Sequence, residues 1–376
     1  MKFAVDARAL TTPPTGVGHY LLAAVNVWAT MSPAHEFVLL AHKPLHAAAA
    51  PLMAQRGNLR FVCSPAALLP GNGLCWLVTH LETAARAEGA DVLWGAGGLL
   101  PPLLRRGRGA RLRSLLTVHD LAYRSLPWTL SRRARVAYGL LAGRSIRRAD
   151  VLWAVSRYTA AEVSRHYPQR RAAEIAVGSG LNPLRAAPAL DSAAALSLRQ
   201  RYAVGDRSLL FVGTLEPRKN LRFLLGLMPA LAARGYTLIV VGCAGWGQSG
   251  IAEVMQAPGF PTSQVRFCDY VPDADLQGLY RCVAIFVSTS LMEGFGLPQL
   301  EAMSAGCPVV AAANSAMVEV VGDGGATVEG WSPEAWVLAI EQVYTQRAAA
   351  SGRALLRAAN HDVATACRAV ELLLAT

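Results

Sequence analysis

The stretch "VAIFVSTSLMEGFGLPQLEAMSAGCPVVAA" (residues 283–312) decides the fold that we predict for this chain. In order, it holds an apolar run, a glycine-containing loop, a helical pattern and a second apolar run, at 283–288, 288–296, 298–305 and 307–312. Pro298 suits the first turn of a helix, and Gly306 is typical of a helix end. A strand, a helix and a second strand in this order predict a βαβ unit with parallel strands.

The same alternation extends over most of the chain. Further strand-like runs lie at 2–7, 36–41, 59–63, 92–96, 113–120, 150–156, 174–179, 208–213, 236–242 and 265–271. Helical patterns lie at 16–31, 74–88, 131–148, 157–167, 220–234, 273–282 and within 332–374. The alternation pauses at 182–207, where two prolines precede an alanine-rich helix, so we read this stretch as a connector.

These patterns predict an α/β protein with two Rossmann-like domains, whose parallel sheets face each other across a central cleft. We place the parts at 1–184 (first domain), 185–205 (linker), 206–350 (second domain) and 351–376 (a C-terminal helix that can cross back to the first domain). Ligands of such sheets bind beyond the C-terminal ends of the strands.

Composition narrows the class of protein. Seven cysteines without a CxxC pair favour a reduced, cytoplasmic protein over a disulfide framework or a zinc site. The N-terminus does not resemble a signal peptide, and no apolar run approaches the roughly 20 residues of a membrane span.

Positive charge is concentrated in the first half of the chain. Residues 1–185 hold 23 Lys and Arg against 9 Asp and Glu, much of the excess lying at 105–113 and 131–150. The second of these runs interleaves arginines with apolar residues, as a basic amphipathic helix does. An anionic membrane surface or a phosphate-bearing acceptor fits this half, and so does a solvated basic face; no pattern typical of nucleic-acid binding is present.

The motif "VGTLEPRKNL" (212–221) predicts an anion site. A strand ends before Gly213, and Asn220 can cap the helix that follows, so Arg218 and Lys219 lie at a strand end beside a helix N-terminus. A pyrophosphate suits two cations and free backbone N–H groups, although an exposed basic turn gives the same pattern.

Two glutamates eight positions apart distinguish the opening stretch. Glu293 lies in the loop, and we place Glu301 in the first turn of the helix. Gly294 and Gly296 allow the backbone to approach a ligand closely. Carboxylates accept hydrogen bonds from sugar hydroxyls, so the pair predicts sugar binding, although a glutamate in a first helical turn also has a purely structural use.

Together, "EGFGLPQLEAMSAGCPVVA" and "VGTLEPRKNL" resemble the signature of retaining GT-B glycosyltransferases of glycosyltransferase family 4, in particular bacterial O-antigen and exopolysaccharide mannosyltransferases. The resemblance implies the GT-B architecture and a retaining hexosyltransferase that needs no metal and no cofactor besides its nucleotide-sugar donor. It also implies transfer to a lipid-diphosphate-linked saccharide at the inner face of the cytoplasmic membrane.

The resemblance further implies a role for each motif residue. Lys219 and Arg218 neutralise the donor diphosphate, Glu301 holds the ribose, and Glu293 holds the donor sugar. The N–H groups of Phe295, Gly296 and Leu297, next to Gly294, cradle phosphate and sugar. Gly213 ends its strand, and Thr214 stands where some relatives carry an arginine, whose share of charge Arg218 takes.

Three weaker matches complete the predicted site. His119, in "VHDLAY" (118–123), corresponds to a histidine that faces the transferred sugar. Gly16 and Gly18, in "PTGVGHY" (14–20), resemble a flexible loop beside donor phosphate and acceptor. Tyr270 and Val271, in "DYVPDADL" (269–276), resemble the segment along the nucleotide base.

The motifs favour GDP-mannose as donor and leave UDP-glucose and dTDP-rhamnose open. Two other classes of protein share the pattern. One is a different enzyme on the same fold, such as a nucleotide-sugar epimerase or a phosphorylase. The other is a non-catalytic sugar-nucleotide sensor, which binds without turnover.

Overall fold

A computed structural model of the chain describes residues 1–65, 72–104, 112–130, 132–183, 190–245 and 250–376. Residues 105–111 of the basic run at 105–113 and residues 185–189 of the predicted linker lie outside the described residues. The chain divides into two compact units: Met1–Arg124 with Arg132–Arg185 and Asp362–Thr376, and Ser125–Ser131 with Ala186–His361.

The first unit contains a seven-stranded, fully parallel sheet with the strand order β3-β2-β1-β4-β5-β6-β7. Its strands are β1 (Lys2–Asp6), β2 (Glu36–Ala41), β3 (Leu59–Cys63), β4 (Val92–Gly95), β5 (Arg113–Val118), β6 (Val151–Ala154) and β7 (Ile175–Val177). The order reverses between β1 and β4, which is the position where open α/β sheets bind ligands.

Helices cover this sheet. They are α1 (Gly16–Met31), α2 (Gly73–Thr79), α3 (Leu81–Ala87), α4 (Ala122–Ser125), α5 (Arg132–Arg148), α6 (Arg157–His166) and, from the end of the chain, α15 (Val363–Ala375). Under α1 lies an aromatic core in which Trp94 and Trp153 stack at 5.4 Å and Trp28 packs edge-on against both. Glu371 of α15 accepts hydrogen bonds from Trp28 and Ser32, which fastens the C-terminal helix to this unit.

The second unit contains a six-stranded parallel sheet with the order β10-β9-β8-β11-β12-β13. Its strands are β8 (Ser208–Val212), β9 (Thr237–Val241), β10 (Val265–Cys268), β11 (Ile285–Ser288), β12 (Val309–Ala312) and β13 (Ala326–Val328). The order reverses between β8 and β11, so the ends of these two strands form the switch point of this sheet.

The helices of the second unit are α7 (Ser192–Tyr202), α8 (Leu221–Ala232), α9 (Ile251–Met255), α10 (Asp273–Cys282), α11 (Leu297–Ser304), α12 (Ser315–Val321), α13 (Pro333–Thr345) and α14 (Arg347–Ala359). Helix α7 packs against α10, where Asp275 accepts hydrogen bonds from Arg201 and from the Tyr202 hydroxyl, each at 2.7 Å. In the described part of the chain, no helix combines the length and apolar character needed to span a bilayer.

The two parallel sheets confirm the predicted α/β fold class, while some predicted elements needed correction. The helical pattern at 74–88 is two short helices that meet at His80. The opening stretch forms the predicted strand, loop, helix and strand, but α11 begins one residue early, at Leu297. Glu301 is therefore in the second turn of α11, not the first. Strand β13 and helices α9 and α12 were not predicted.

Gly16 and Gly18, which resemble a flexible loop beside donor phosphate and acceptor, lie at the start of the helix predicted at 16–31. Both lie in the first turn of α1. Gly18 is buried, and a Cβ at this position would come within 3.1 Å of the Ala9 carbonyl oxygen and 3.2 Å of Pro14. Because glycine has no side chain, the helix can pack closely on the segment after β1. This packing is a structural reason for a glycine at position 18 that involves no ligand.

Candidate functional site

Two segments meet at the switch point of the second sheet. One follows β8 and the other follows β11, and adjacency of these strands brings residues about 70 positions apart into contact. The Leu291 N–H donates to the Arg218 carbonyl oxygen at 2.8 Å. The Thr289 hydroxyl donates to the carbonyl oxygens of Lys219 and Asn220, at 3.2 and 3.1 Å. The two predicted motifs therefore form one structural site.

Glu293 is the centre of this site and is buried, with 7% of its surface exposed. Its Oε1 accepts from the Lys219 ammonium and from the Ser290 hydroxyl, both at 2.6 Å. Its Oε2 accepts from Arg218 Nη1 at 3.0 Å. The structure thus joins three predicted site residues, Glu293, Lys219 and Arg218, in one ion-pair cluster.

The charge of Glu293 is stabilised in spite of its burial. Burial alone raises the pKa of a carboxyl, but the nearby charges of Lys219 and Arg218 and the hydrogen bond from Ser290 outweigh it and lower the pKa of Glu293 to about 2. Glu293 is consequently a carboxylate at neutral pH, able to accept hydrogen bonds and unable to donate one.

Glu216 is a second buried carboxyl of the cluster, to which the sequence analysis assigned no role. Arg218 approaches its Oε1 through both Nη2, at 2.8 Å, and Nε, at 3.1 Å. Burial raises the pKa of Glu216, while Arg218 and Lys219 act in the opposite direction. A glutamate two positions before an arginine within the motif was the available signal, but only burial makes it significant.

Ser315 holds the main chain of Glu293 and was also missed. The Glu293 N–H donates to Ser315 Oγ at 2.9 Å, and the Ala316 N–H donates to the Glu293 carbonyl oxygen at 3.2 Å. Ser315 has a φ of 49°, in the left-handed region that non-glycine residues rarely adopt. Asn220, which directly follows Lys219, has a φ of 50°. Such conformations persist only where surrounding contacts impose them.

Asn220 lies at the N-terminus of α8, where the sequence analysis placed it. The sequence analysis also predicted that its side chain caps the helix, and this does not occur in the described part of the chain. With its left-handed backbone, its side chain makes no capping hydrogen bond within the described residues. The segment instead relies on Thr289, across the switch point, to bind its carbonyl oxygens.

Glycines permit close approach of backbone at this edge of the sheet. Gly242 follows β9 with a φ of 151°, and a Cβ there would come within 2.0 Å of the Gly213 carbonyl oxygen. Gly296 has a φ of 102° and precedes α11. Phe295, between Gly294 and Gly296, is buried and packs edge-on against His361, with ring centroids 5.7 Å apart. Gly294 is buried as well, and Leu297 is the first residue of α11.

Glu301 is buried on α11, and the Tyr280 hydroxyl donates to its Oε2 at 3.2 Å. Because it lies in the second turn, the favourable dipole effect of a first helical turn does not account for it. Thr214 is partly exposed after Gly213. The two residues predicted beside a nucleotide base differ, since Tyr270 is 61% exposed while Val271 is buried, so only Tyr270 presents its side chain.

His119 belongs to the first unit, where it directly follows β5. Its Nε2 lies 2.7 Å from the Ala96 carbonyl oxygen and therefore carries the proton, which makes Nδ1 the acceptor. Tyr20 packs edge-on against the ring at 4.9 Å. Burial lowers the pKa of His119, so its ring is neutral at pH 7.

At the switch point of the first sheet, the described residues include an ion pair between Asp6 and Arg8. Arg8 donates from Nε and Nη2 to the two carboxylate oxygens of Asp6, each at 2.8 Å, and from Nη1 to the Gly73 carbonyl oxygen. The pair ties the end of β1 to the start of α2.

A metal site is not apparent in the described ranges, which hold no group of three or more His, Cys, Asp or Glu side chains arranged to bind an ion. What the second unit offers is a pair of cations and two carboxylates at a switch point, edged by glycines. Such an arrangement can bind a phosphate through Lys219 and a hydroxyl-bearing group through Glu293.

Known proteins resemble this chain in sequence. Residues 206–346 match the family described as "Glycosyl transferases group 1". The O-antigen chain mannosyltransferase B of Escherichia coli is 34% identical over 220 residues, which span 57% of this chain and 56% of that protein. A GDP-mannose-dependent alpha-(1-6)-phosphatidylinositol monomannoside mannosyltransferase of Mycolicibacterium smegmatis is 27% identical over 355 residues, 90% of this chain and 88% of that protein. The chain therefore spans little more than half the length of the first of these relatives.

The fold has solved counterparts. HepE of Anabaena, in complex with UDP and glucose, aligns with a TM-score of 0.74 at 19% identity, over 100% of this chain and 99% of that one. At this identity the likeness shows the fold alone, which is the GT-B fold of two Rossmann-like domains. Taken with the family match, it identifies the part of the chain that carries the charge cluster: residues 206–346 form a domain of the glycosyl transferases group 1 family.

Proposed function

We propose that the chain is a retaining glycosyltransferase that moves a hexose, with mannose from GDP-mannose as first choice, to a hydroxyl of a lipid-diphosphate-linked saccharide. The observation that carries the proposal is the cluster of Glu293, Lys219 and Arg218 at the switch point of the second sheet. It lies in the region that matches the glycosyl transferases group 1 family.

The reaction breaks the bond between the anomeric carbon and the diphosphate oxygen and forms a bond from that carbon to the acceptor hydroxyl. The hydroxyl proton passes to the departing phosphate, and the products are the glycoside and a nucleoside diphosphate. Because negative charge grows on the departing diphosphate, an ammonium and backbone N–H groups that are already oriented toward it lower the barrier.

The residues of the cluster divide this work between them. Lys219 has the side-chain nitrogen best suited to the diphosphate, because its ammonium has three donors and Glu293 takes one. Arg218 already binds Glu216, Glu293 and the Met292 carbonyl oxygen. Its main role is therefore to orient Glu293, and its positive charge acts on the diphosphate from that fixed position. Glu293, held ionised, accepts hydrogen bonds from the donor sugar, and Glu301 does the same for the ribose.

In the first unit, we assign His119 to the transferred sugar, for which its neutral ring offers Nδ1 as an acceptor. No step of this route requires a metal, so we expect transfer to continue after exhaustive treatment with EDTA. Loss of transfer that returned with Mg²⁺ or Mn²⁺ would contradict the metal-free route.

The donor can be identified with a thermal-shift panel of GDP-mannose, UDP-glucose and dTDP-rhamnose. A donor at 100 times its Kd stabilises the protein by about 2.7 kcal/mol, which is a shift of several degrees in Tm. We place GDP-mannose first because a relative whose alignment with this chain spans 88% of the relative's length is named as GDP-mannose-dependent. Absence of any shift with the whole panel would contradict nucleotide-sugar binding.

A product assay separates the proposal from the two other classes. A transferase releases nucleoside diphosphate only when an acceptor is present, and the product keeps the anomeric configuration of the donor. An epimerase converts the nucleotide-sugar without an acceptor, and a sensor binds it without any turnover. Inversion at the anomeric carbon would remove the retaining mechanism and leave the transferase activity.

We also propose that the first unit contacts an anionic membrane surface. The first half of α5 exposes apolar and basic side chains together: Arg132, Arg135, Val136, Tyr138 and Leu140. Each basic side chain near an anionic surface contributes about 1 kcal/mol, and salt screens this term. We therefore expect the protein to bind vesicles that contain phosphatidylglycerol and to be released by 0.5 M NaCl, while neutral vesicles bind it weakly. Binding that salt does not affect would refute the electrostatic contact.

A further inference from the structure

Glu216 is the one carboxylate of the cluster that the proposed reaction does not use. It follows β8, is 3% exposed, and meets Arg218 through a single oxygen, Oε1. Within the described residues no hydrogen bond reaches its Oε2. By contrast, both oxygens of Glu293 accept hydrogen bonds, from Lys219 and Ser290 on one side and from Arg218 on the other.

A count of charges shows why this difference matters. The two cations, Arg218 and Lys219, already face two carboxylates, so the cluster is neutral as it stands. A nucleotide-sugar brings a negative charge on each of its phosphates. A dianion placed beside a neutral cluster is attracted by the cations and repelled by both carboxylates, and the burial of both carboxylates weakens the screening of this repulsion by solvent. Neutralising one carboxylate relieves this repulsion without moving either cation.

Glu216 is the carboxylate better placed to accept that proton. Its burial already favours the neutral form, whereas Glu293 is held ionised by three donors. No donor among the described residues would have to leave its Oε2, and its Oε1 can keep both contacts to Arg218 after Oε2 is protonated. Two carboxyls whose surroundings push their protonation in opposite directions commonly hold different roles in one site.

We propose that Glu216 is a positioning residue for the donor: through Oε1 it holds Arg218 against Glu293, and on Oε2 it takes up one proton from solvent when a nucleotide-sugar diphosphate binds beside Lys219 and Arg218. The inference rests on the proposed function, because it needs a diphosphate ligand at this site. It adds a pH dependence that the reaction itself does not require.

The groups that face Glu216 determine the sign of this dependence. Arg218 and Lys219 lie on its own segment, and Glu293 lies on the segment after β11; the residue packed on it from beyond β9, Gly245, is neutral. Bound diphosphate adds negative charge and raises the pKa of Glu216 further. Donor affinity is therefore highest at low pH and falls as pH rises from the pKa of Glu216 in the free protein to its pKa in the complex.

Isothermal titration calorimetry can count the proton directly. The full-length protein is titrated with GDP-mannose, UDP-glucose and dTDP-rhamnose without acceptor, at several pH values, each in two buffers of different ionisation enthalpy. The difference between buffers gives the protons taken up per ligand. Nucleotide-sugars are used because they lack the terminal phosphate of a free nucleoside diphosphate, which titrates near pH 6. For the wild type we expect net uptake that passes through a maximum with pH.

Glu216→Gln isolates the charge. Its amide oxygen can replace Oε1 as the acceptor for Arg218, so the shape of the cluster is retained. We expect this variant to bind the donor with no proton uptake and, at pH 8, about tenfold more tightly than the wild type, the factor that corresponds to one pKa unit of coupling. Glu216→Ala frees Arg218 and should bind more weakly than Glu216→Gln. Glu341→Gln, which alters an Arg207 ion pair elsewhere in the same unit, should match the wild type.

The outcomes separate this inference from the proposed function. Wild-type binding without proton uptake at any pH, or a Glu216→Gln variant that folds and binds more weakly than the wild type, would overturn the role of Glu216 and leave the transferase intact. If Glu216→Gln fails to fold, as judged by circular dichroism, proton uptake by the wild type still decides. Failure of the wild type to bind any of the three nucleotide-sugars would instead overturn the proposed function.

Discussion

The C-terminal strand ends of the two sheets differ in how their charged side chains are paired. In the second unit the switch point holds four charged side chains, Glu216, Arg218, Lys219 and Glu293, in one cluster. In the first unit the switch point holds, among the residues that the structure describes, the Asp6–Arg8 pair, whose guanidinium also binds a main-chain oxygen.

The difference indicates at which edge a charged side chain can bind a ligand. Arg8 is committed to Asp6 and to Gly73, so the pair is a structural tie. Lys219 is bound by Glu293 alone among the described residues, and a phosphate can share its ammonium. The Arg8 guanidinium is therefore fully engaged at the first edge, whereas the Lys219 ammonium at the second edge has donors left for a ligand.

The largest effect should come from removing the centre of the cluster. Glu293→Ala removes the buried carboxylate that the partly buried Arg218 and Lys219 share, and we expect a loss of about 3–5 kcal/mol in the free energy of unfolding. Urea denaturation measures this, and transfer activity should be lost. Glu341→Ala, which breaks a half-exposed pair with Arg207, should cost less than about 1 kcal/mol.

The pH dependence of stability sharpens the same comparison. The pKa of Glu293 is lowered to about 2, so its contribution is present above the usual carboxyl range and is lost as pH falls toward 2. The pKa of Glu216 is raised, so its contribution has the opposite sign and is lost as pH rises above that range. Denaturation midpoints that fall equally with acid in the wild type and in Glu293→Ala would show that Glu293 does not carry the effect.

Glycine replacements at the two edges should differ by a smaller but clear margin. Gly242→Ala puts a Cβ within 2.0 Å of the Gly213 carbonyl oxygen at a φ of 151°, and we expect it to cost about 3 kcal/mol. Gly97→Ala, at the first edge, meets only Asp6 at 3.6 Å and should stay within about 1 kcal/mol of the wild type. Equal melting temperatures for the two variants would contradict the close approach of β8 and β9.

Lys219→Ala should act on binding more than on folding. Arg218 and Ser290 still serve Glu293, so the fold is retained, while a charged hydrogen bond to phosphate worth about 2 kcal/mol is lost. We expect affinity for the nucleoside diphosphate of the identified donor to fall about 30-fold and affinity for its nucleoside to be nearly unchanged. Equal losses for both ligands would remove Lys219 from the diphosphate.

The smallest effect concerns an exposed side chain. Tyr270→Ala should change the free energy of unfolding by less than about 0.5 kcal/mol, because the ring is 61% exposed. If the ring stacks on the nucleotide base, affinity for the nucleoside should fall by about 1 kcal/mol. An unchanged nucleoside affinity would place the base elsewhere.

Much of the second domain could be read from local patterns. Helix α10 has the predicted bounds, and in the first unit β2 and β3 do as well, because alternation and end signals are properties of neighbouring residues. Glu301 was placed one turn wrong because Gly296, with its positive φ, is the N-cap, and the helix begins at Leu297, one residue before Pro298. Helix α12 was missed because its short apolar run resembles a loop after β12.

The sequence by itself predicted the two parallel sheets and placed Lys219, Arg218 and Glu293 in the segments that follow strands of the second sheet. Only the tertiary structure decided that these three side chains touch, that Glu216 completes a neutral cluster, and that Ser315 holds Glu293 in place. The reason is physical. Periodicity is local, whereas an ion pair and a shifted pKa depend on burial and on partners that the reversal of strand order between β8 and β11 brings together from distant parts of the chain.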